Sequence, residues 1–437
     1  MTNNTIMDVF NKFRGLMDID MFSELLSYII LLKKIEFTGP EYYEQIWSIQ
    51  LLHRLYGYSI FEDDLCKYLN NIEKEYGISN GLLVEPFRKI IHRFSDEKGM
   101  KLITDVIEAV SRLSFENEKV LAEIYDDFVN YSTMYIGRKG GEYTTNKYLA
   151  KLEASLLDVR ENDYVYDPFC GSGESIIAAC GTRNHIYARE KHPDIVAKAI
   201  INMIIHDCKI GEINCGDSIF ADDRKYDRVI SEPPFTMVYD NAIQDRLRTY
   251  MKFLNKDTIA IEKIVSDLSK TGRAVILVPM GVLFRSGKPE EFRKSLVDAG
   301  VIDSIIFIPA GVYGYSSINT AIVIIDKTKV NKDVFMVDTS KHWTKKNLKD
   351  FTLTDENIDS ISKIVKNKEI HKGISLMVEN NIIYDNGINL TPTMYIDPYT
   401  IDDIEIRNVD ELITQQKKYE IEFSNVCKEL NEIRFNI

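Results

Sequence analysis

The sequence predicts an α/β protein with a parallel or mostly parallel sheet, preceded by a helical region and followed by a helical tail. Three observations carry that prediction. From about residue 162, short β-rich runs alternate with helix-length segments, the pattern of βαβ units. Several of these runs are continuously apolar, as strands covered on both faces are. Upstream of residue 130, apolar residues recur three and four apart instead, and strand-like runs are scarce.

The helical region reads as a domain over 1–130. Phe13, Leu16, Phe22, Leu25, Leu26, Ile29 and Leu32 form one apolar stripe, and a second helical run follows over 42–55. Gly137, Gly140 and Gly141 mark a break. The sheet domain is placed at 131–330. Its expected strands are 164–166, 185–188, 212–215, 226–231, 273–278, 304–308 and 320–325. Residues 331–437 are lysine-rich and end in a heptad of Val409, Leu412, Gln416, Tyr419, Phe423, Val426, Leu430 and Ile433, with Gln416 its only polar member. That seam either folds back on its own domain or pairs with another chain.

The bulk numbers narrow the function classes. At 437 residues the chain is long for a single domain, and 45% hydrophobic with 28% charged residues is ordinary for a globular protein. The start carries no basic segment followed by an apolar run, and Leu25 to Leu32 falls well short of the roughly 20 residues of a membrane span. Six scattered cysteines read as reduced thiols, so a cytoplasmic location is expected. His206, Cys208 and Cys215 match no zinc spacing, and no metal is expected. A net charge of −13 is unusual for a chain that grips duplex DNA unaided, and it directs part of any such affinity to a partner.

Four turns follow the first four strands, where ligands of open α/β sheets bind. The first is Asp167, Pro168, Phe169, Cys170, Gly171, Ser172 and Gly173. It lacks the Gly-Lys-Ser/Thr of a P-loop, and Ile176 stands where a dinucleotide fingerprint needs its third glycine. The Asp-Pro before the turn suits a small cationic ligand. Glu190, about 20 residues on, is placed either to take ribose hydroxyls or to sit as a solvated surface acid. Asp217 and Ser218 form either a common turn or an acceptor for an adenine amino group. Ser231, Glu232, Pro233, Pro234 and Phe235 combine free carbonyls that donate nothing with a ring able to stack on a base. A flipped-out adenine needs both.

These residues resemble the amino-group DNA methyltransferases, whose motif is Asn or Asp, then Pro-Pro, then an aromatic. The similarity extends to Gly141–Thr145, to 273–284 and 308–313, to Phe13–Asp18 and to Asn389–Tyr395, which resemble segments of the methylation subunit of type I restriction–modification systems. It therefore spans nearly the whole chain. It implies a Rossmann-like, seven-stranded class I S-adenosylmethionine-dependent methyltransferase sheet of mixed direction, with one antiparallel strand. Thr144, Thr145, Asp167, Pro168, Gly171, Ser172, Gly173, Glu190, Asp217 and Ser218 would contact S-adenosylmethionine. Glu232, Pro233, Pro234 and Phe235 would meet the target adenine, which is methylated on N6. The partners implied are DNA, a specificity subunit clasping the C-terminal helix, a restriction subunit, and a second copy of this chain in the complex.

Position 232 departs from the motif: glutamate stands where the family has Asn or Asp. It still accepts a hydrogen bond but is one methylene longer. A second reading follows, in which the chain is a scaffold of a DNA-defence complex that binds cofactor and DNA without transferring methyl efficiently. A third, methylation of RNA or of a protein glutamine, uses a similar Pro-Pro-aromatic motif, and the terminal resemblances argue against it.

Overall fold

The computed structural model describes residues 6–13, 19–38, 58–113, 115–136, 146–221, 223–313, 318–347, 350–397, 416–420 and 423. Residues 1–396 form one compact unit and 397–437 a second.

In the first unit the chain begins with helices α1 (Ile6–Phe13), α2 (Ile19–Thr38), α3 (Tyr58–Glu75), α4 (Val84–His92), α5 (Glu97–Ser111), α6 (Glu118–Ile136) and α7 (Lys147–Leu157). The expected helical N-terminal region is present. The helical run expected over 42–55 and most of Phe13–Asp18 lie outside the described residues.

Strands and helices then alternate: β1 (Val165–Asp167), α8 (Glu174–Cys180), β2 (His185–Glu190), α9 (Pro193–Ile205), β3 (Lys209–Cys215), β4 (Tyr226–Ser231), α10 (Asn241–Leu247), α11 (Ile259–Asp267) and β5 (Leu268–Pro279). Next come α12 (Gly281–Phe284), α13 (Lys288–Ala299), β6 (Ile302–Ile308) and β7 (Thr320–Asp326). The unit ends with β8 (Val334–Asp338), β9 (Thr344–Asn347), β10 (Asp350–Thr352), α14 (Asp355–Asn367), β11 (Ser375–Val378), α15 (Asn380–Asp385) and α16 (Pro392–Tyr395). Local signals explain many of these boundaries. Thr354 caps α14 by accepting from Asn357 N, and α13 carries Pro289 and two acids in its first turn and ends at Gly300 with φ +68°.

All seven expected strands form. They lie in the order β6-β7-β5-β4-β1-β2-β3. β1, β2, β3, β4 and β5 are mutually parallel, and β7 is antiparallel to both β5 and β6. The sheet is wider than seven, however. β8 pairs parallel to β6, and β11 pairs antiparallel to β8, so nine strands share one sheet. The boundary expected at 330/331 therefore falls inside the sheet. The cause is visible in β8, five residues of Val-Phe-Met-Val-Asp that are buried throughout.

Side chains along each strand alternate between two cores. Val165, Ile230, Val275, Leu277, Ile306 and Phe335 join the core beneath α7, α8, α9 and α14. Tyr166, Val229, Ile276, Ile305 and Met336 join the opposite one, with Ile261 of α11 and Phe292 of α13. The N-terminal helices extend the first core, since α2 packs on α9. At that junction the buried Lys34 lies 2.6 Å from Glu118 and 2.8 Å from Asp207. His206 stands 2.9 Å from Asp126, its ring turned to the helical layer.

In the second unit residues 416–420 are helical, with Tyr419 and Phe423 exposed. Gln416 begins that helical stretch, and Val409, Leu412, Val426, Leu430 and Ile433 of the expected heptad lie outside the described residues.

Arg293 ties the end of the first unit down. It is 2% exposed and donates to the carbonyls of Ile388 (2.9 Å), Val282 (3.0 Å) and Arg285 (2.7 Å). Burial lowers its pKa to about 10. Arg293→Leu keeps the volume but strands three carbonyls, at a cost of about 3 kcal/mol. The expected result is a lower denaturant midpoint and faster proteolysis beyond residue 380, and an unchanged midpoint would refute this account of Arg293.

Candidate active site

The parallel strands end together, and so do their loops. The strand order reverses between β1 and β4, and Asp167, Glu190, Asp217 and Glu232 all sit at or just past the carboxyl ends of β1, β2, β3 and β4. That is where an open α/β sheet binds its ligand.

The first turn is built on its glycines. Gly171 and Gly173 have φ of +52° and +91°, a region that L side chains rarely adopt. Gly173 caps α8. A Cβ on Gly171 would find no atom within 4 Å, so the space beside this turn is open. Backbone bonds lace the loops together: Cys170 N donates to Arg189 O (3.0 Å), and Gly216 N to Glu190 O (2.8 Å). Ser218 Oγ donates to Pro168 O. Ser172 Oγ donates to Glu174, at 2.8 Å from Oε1, and its carbonyl accepts from Asn202 Nδ2 (3.0 Å).

Each acid has a defined setting. Asp167 is 2% exposed and accepts from Phe169 N (3.0 Å) and Ser231 Oγ (2.8 Å). Burial outweighs those two bonds and raises its pKa to about 7, with Glu232 and Glu190 adding repulsion. Glu190 accepts from Gly171 N (3.3 Å) and His192 N (2.9 Å). That ties it to the glycine turn, so it is not merely a solvated surface acid. Asp217 accepts from Ile219 N (3.1 Å), from Lys191 Nζ (3.4 Å) and from Tyr239 Oη, which lies 2.9 Å from Oδ2 and 3.1 Å from Oδ1. Burial and the Asp217 charge together push the Tyr239 phenol upward.

Past β4, Pro233 is buried and Pro234 exposed. Phe235 packs against Tyr313, with ring centroids 5.0 Å apart. Glu232 is half-buried, and its Oε1 accepts from Ser175 Oγ at 3.0 Å. The same hydroxyl is 3.0 Å from Oε2 of Glu153 on α7.

The structure thus brings together Asp167, Pro168, Gly171, Ser172, Gly173, Glu190, Asp217, Ser218, Glu232, Pro233, Pro234 and Phe235 at the carboxyl ends of the parallel strands. Thr144 and Thr145 lie outside the described residues. Sequence reading missed Glu153, Ser175 and Tyr239, and it named Ser231 and, within 308–313, Tyr313 without assigning them to the site. For Glu153 a signal existed: it is an acid within the apolar stripe Leu149, Leu152 and Leu156 of one helix. For Tyr239 none existed, because its partner is distant in sequence.

Known proteins with this arrangement are informative. The chain is 23% identical over 413 residues to the methylase subunit of the type I restriction enzyme MpnII of Mycoplasma pneumoniae, covering 83% of this chain and 76% of that one. It is 26% identical over 377 residues to the MjaVIII methylase subunit of Methanocaldococcus jannaschii, covering 77% of this chain and 64% of that one. A type I restriction–modification methyltransferase subunit from Streptococcus thermophilus has the same fold, with a TM-score of 0.66 at 20% identity over 89% of this chain and 98% of that one. A structure from a study of type I complex assembly gives a TM-score of 0.65 at 18% identity, over 98% of this chain and 96% of that one. The family model for N-6 DNA methylase matches residues 116–404, which include every site residue placed above, and the chain belongs to the N-6 DNA methylase family.

Proposed function

We propose that this chain is the methylation subunit of a type I restriction–modification complex. In this reading it methylates N6 of an adenine flipped out of DNA. The observation that carries the proposal is the Glu232–Pro233–Pro234–Phe235 turn held beside an acid-lined glycine turn at the carboxyl ends of the parallel strands.

S-adenosylmethionine is the methyl donor of the family, and the residues present fit it. It carries a sulfonium and an ammonium, and the loops offer the carboxylates of Asp167, Glu190 and Asp217. The open space beside Gly171 leaves room for the ligand to approach the backbone. Asp167, with Pro168, Gly171, Ser172 and Gly173, would hold the amino-acid portion, and Glu190 the ribose. Asp217 and Ser218 would hold the adenine ring, with Tyr239 keeping Asp217 in place. Thr144 and Thr145, outside the described residues, are assigned to the cofactor as well. When bound, the cofactor supplies an activated methyl group.

On the base side, the Glu232 carboxylate and the Pro233 carbonyl accept hydrogen bonds from the amino group of the flipped adenine. This draws electron density onto its nitrogen. Phe235, backed by Tyr313, provides the stacking surface. The acidic charge of the chain suits a division of labour in which a specificity subunit supplies most of the DNA contact. The C-terminal helix is assigned to that partner, with a second copy of this chain and a restriction subunit completing a cytoplasmic complex. Among the described residues no helix is long and apolar enough to cross a membrane.

Two outcomes test this reading. Asp167 has a pKa of about 7 without ligand, and a cationic ligand favours its charged form. Binding therefore expels a proton, and affinity for S-adenosylmethionine rises as pH increases from about 6 to about 8. Calorimetry in buffers of different ionisation enthalpy would register the proton, and Asp167→Asn would abolish the pH dependence. The second measurement follows labelled methyl from S-adenosylmethionine into unmethylated DNA, using the complex purified with its neighbouring subunits. Label on adenine is expected with the natural chain, falling on the order of 100-fold in Glu232→Ala. Label appearing only in Glu232→Asn would mean a methyltransferase scaffold without natural activity.

A further inference from the structure

Ser175 lies between two carboxyl groups and has one hydrogen to give. Its Oγ is 3.0 Å from Glu153 Oε2 and 3.0 Å from Glu232 Oε1. A hydroxyl donates once, so the second contact needs a proton on a carboxyl group. Glu153 is 0% exposed, and its Oε1 receives no hydrogen bond from any described donor. A buried carboxylate would need donors there, whereas a neutral acid does not. We propose that Glu153 is a positioning residue that stays neutral, donates its proton to Ser175 Oγ, and so commits the Ser175 hydroxyl to Glu232 Oε1.

The chain of donation has one direction: Glu153 to Ser175 to Glu232. It holds Glu232 by its Oε1 before the target base arrives. The longer side chain at this position carries one more rotatable bond than Asp or Asn, and the relay removes that freedom before substrate arrives. The side chains that act most strongly on Glu153 are Glu232, Ser175 and Asp167, none of them a cation, and Glu232 also lies within direct hydrogen-bonding reach of it. Burial, and then the Glu232 charge, hold the Glu153 carboxyl well above the usual carboxylate range. This inference rests on the role proposed for Glu232, but the location of the proton can be measured separately.

The test uses the full chain, alone for spectroscopy and with its neighbouring subunits for turnover. Infrared difference spectra at neutral pH are expected to contain a protonated-carboxyl band that disappears in Glu153→Gln, survives in Glu232→Gln and shifts in Ser175→Ala. A band from Asp167 would persist in all three and is thereby distinguished. In turnover, Glu153→Leu is expected to lower kcat by about 10- to 100-fold while KM for cofactor and DNA stays within about twofold. Glu153→Gln, whose amide restores the donor, is expected to run at least about tenfold faster than Glu153→Leu. Persistence of the full band in Glu153→Gln overturns the proposal, because Glu153 is then charged. Natural kcat in a folded Glu153→Leu overturns it as well. If the natural chain transfers no methyl, the proposed function fails, and the spectra still decide where the proton resides.

Discussion

The hydrogen bond from Ser231 Oγ to Asp167 Oδ1 joins the ends of β4 and β1, and the rest of the site is arranged around it. Both partners are buried. One belongs to the glycine turn, and the other immediately precedes the Glu-Pro-Pro-Phe segment. The two halves proposed for the cofactor and for the base are thus held in register by this bond, together with that from Ser175 Oγ to Glu232. It forms because β1 and β4 are adjacent parallel strands, pairing Val165 with Arg228 and Tyr166 with Val229. Substitutions that shift either strand act on both halves at once.

Concentrating acids at the carboxyl ends of the parallel strands has an energetic cost, since like charges in a poorly solvated space repel. The structure meets that cost in different ways. Backbone N–H groups of Gly171 and His192 satisfy Glu190, and the Tyr239 hydroxyl and Lys191 satisfy Asp217. Asp167 and Glu153 are raised instead, chiefly by burial. The mixture of charged and neutral acids lets the site attract a cation without all of its carboxyls being ionised together.

Much of this was legible in the sequence because the informative features are local. Short β-rich runs, several of them continuously apolar, located all seven strands, and β4 was delimited correctly from Tyr226 to Ser231. Glycine turns and proline pairs announced the loops. The extra width of the sheet was not legible, because β8 and β11 are short and separated by a β-ribbon and a helix, a spacing that suggests an appended region. The relay from Glu153 was hidden for a related reason. Its members come from α7, α8 and the turn after β4, and only packing reveals that they meet. The glutamate at position 232, which the motif alone marks as a departure, acquires a structural context from residues that no motif contains.

The added strands also change what the sheet presents to the outside. Without them β6, whose last four residues Ile305 to Ile308 are all apolar, would be a border strand, and an apolar border invites pairing with another chain. β8 covers it, and β11, only four residues long, takes the outermost place. A border of four residues gives a neighbouring copy of the chain few backbone groups to pair with.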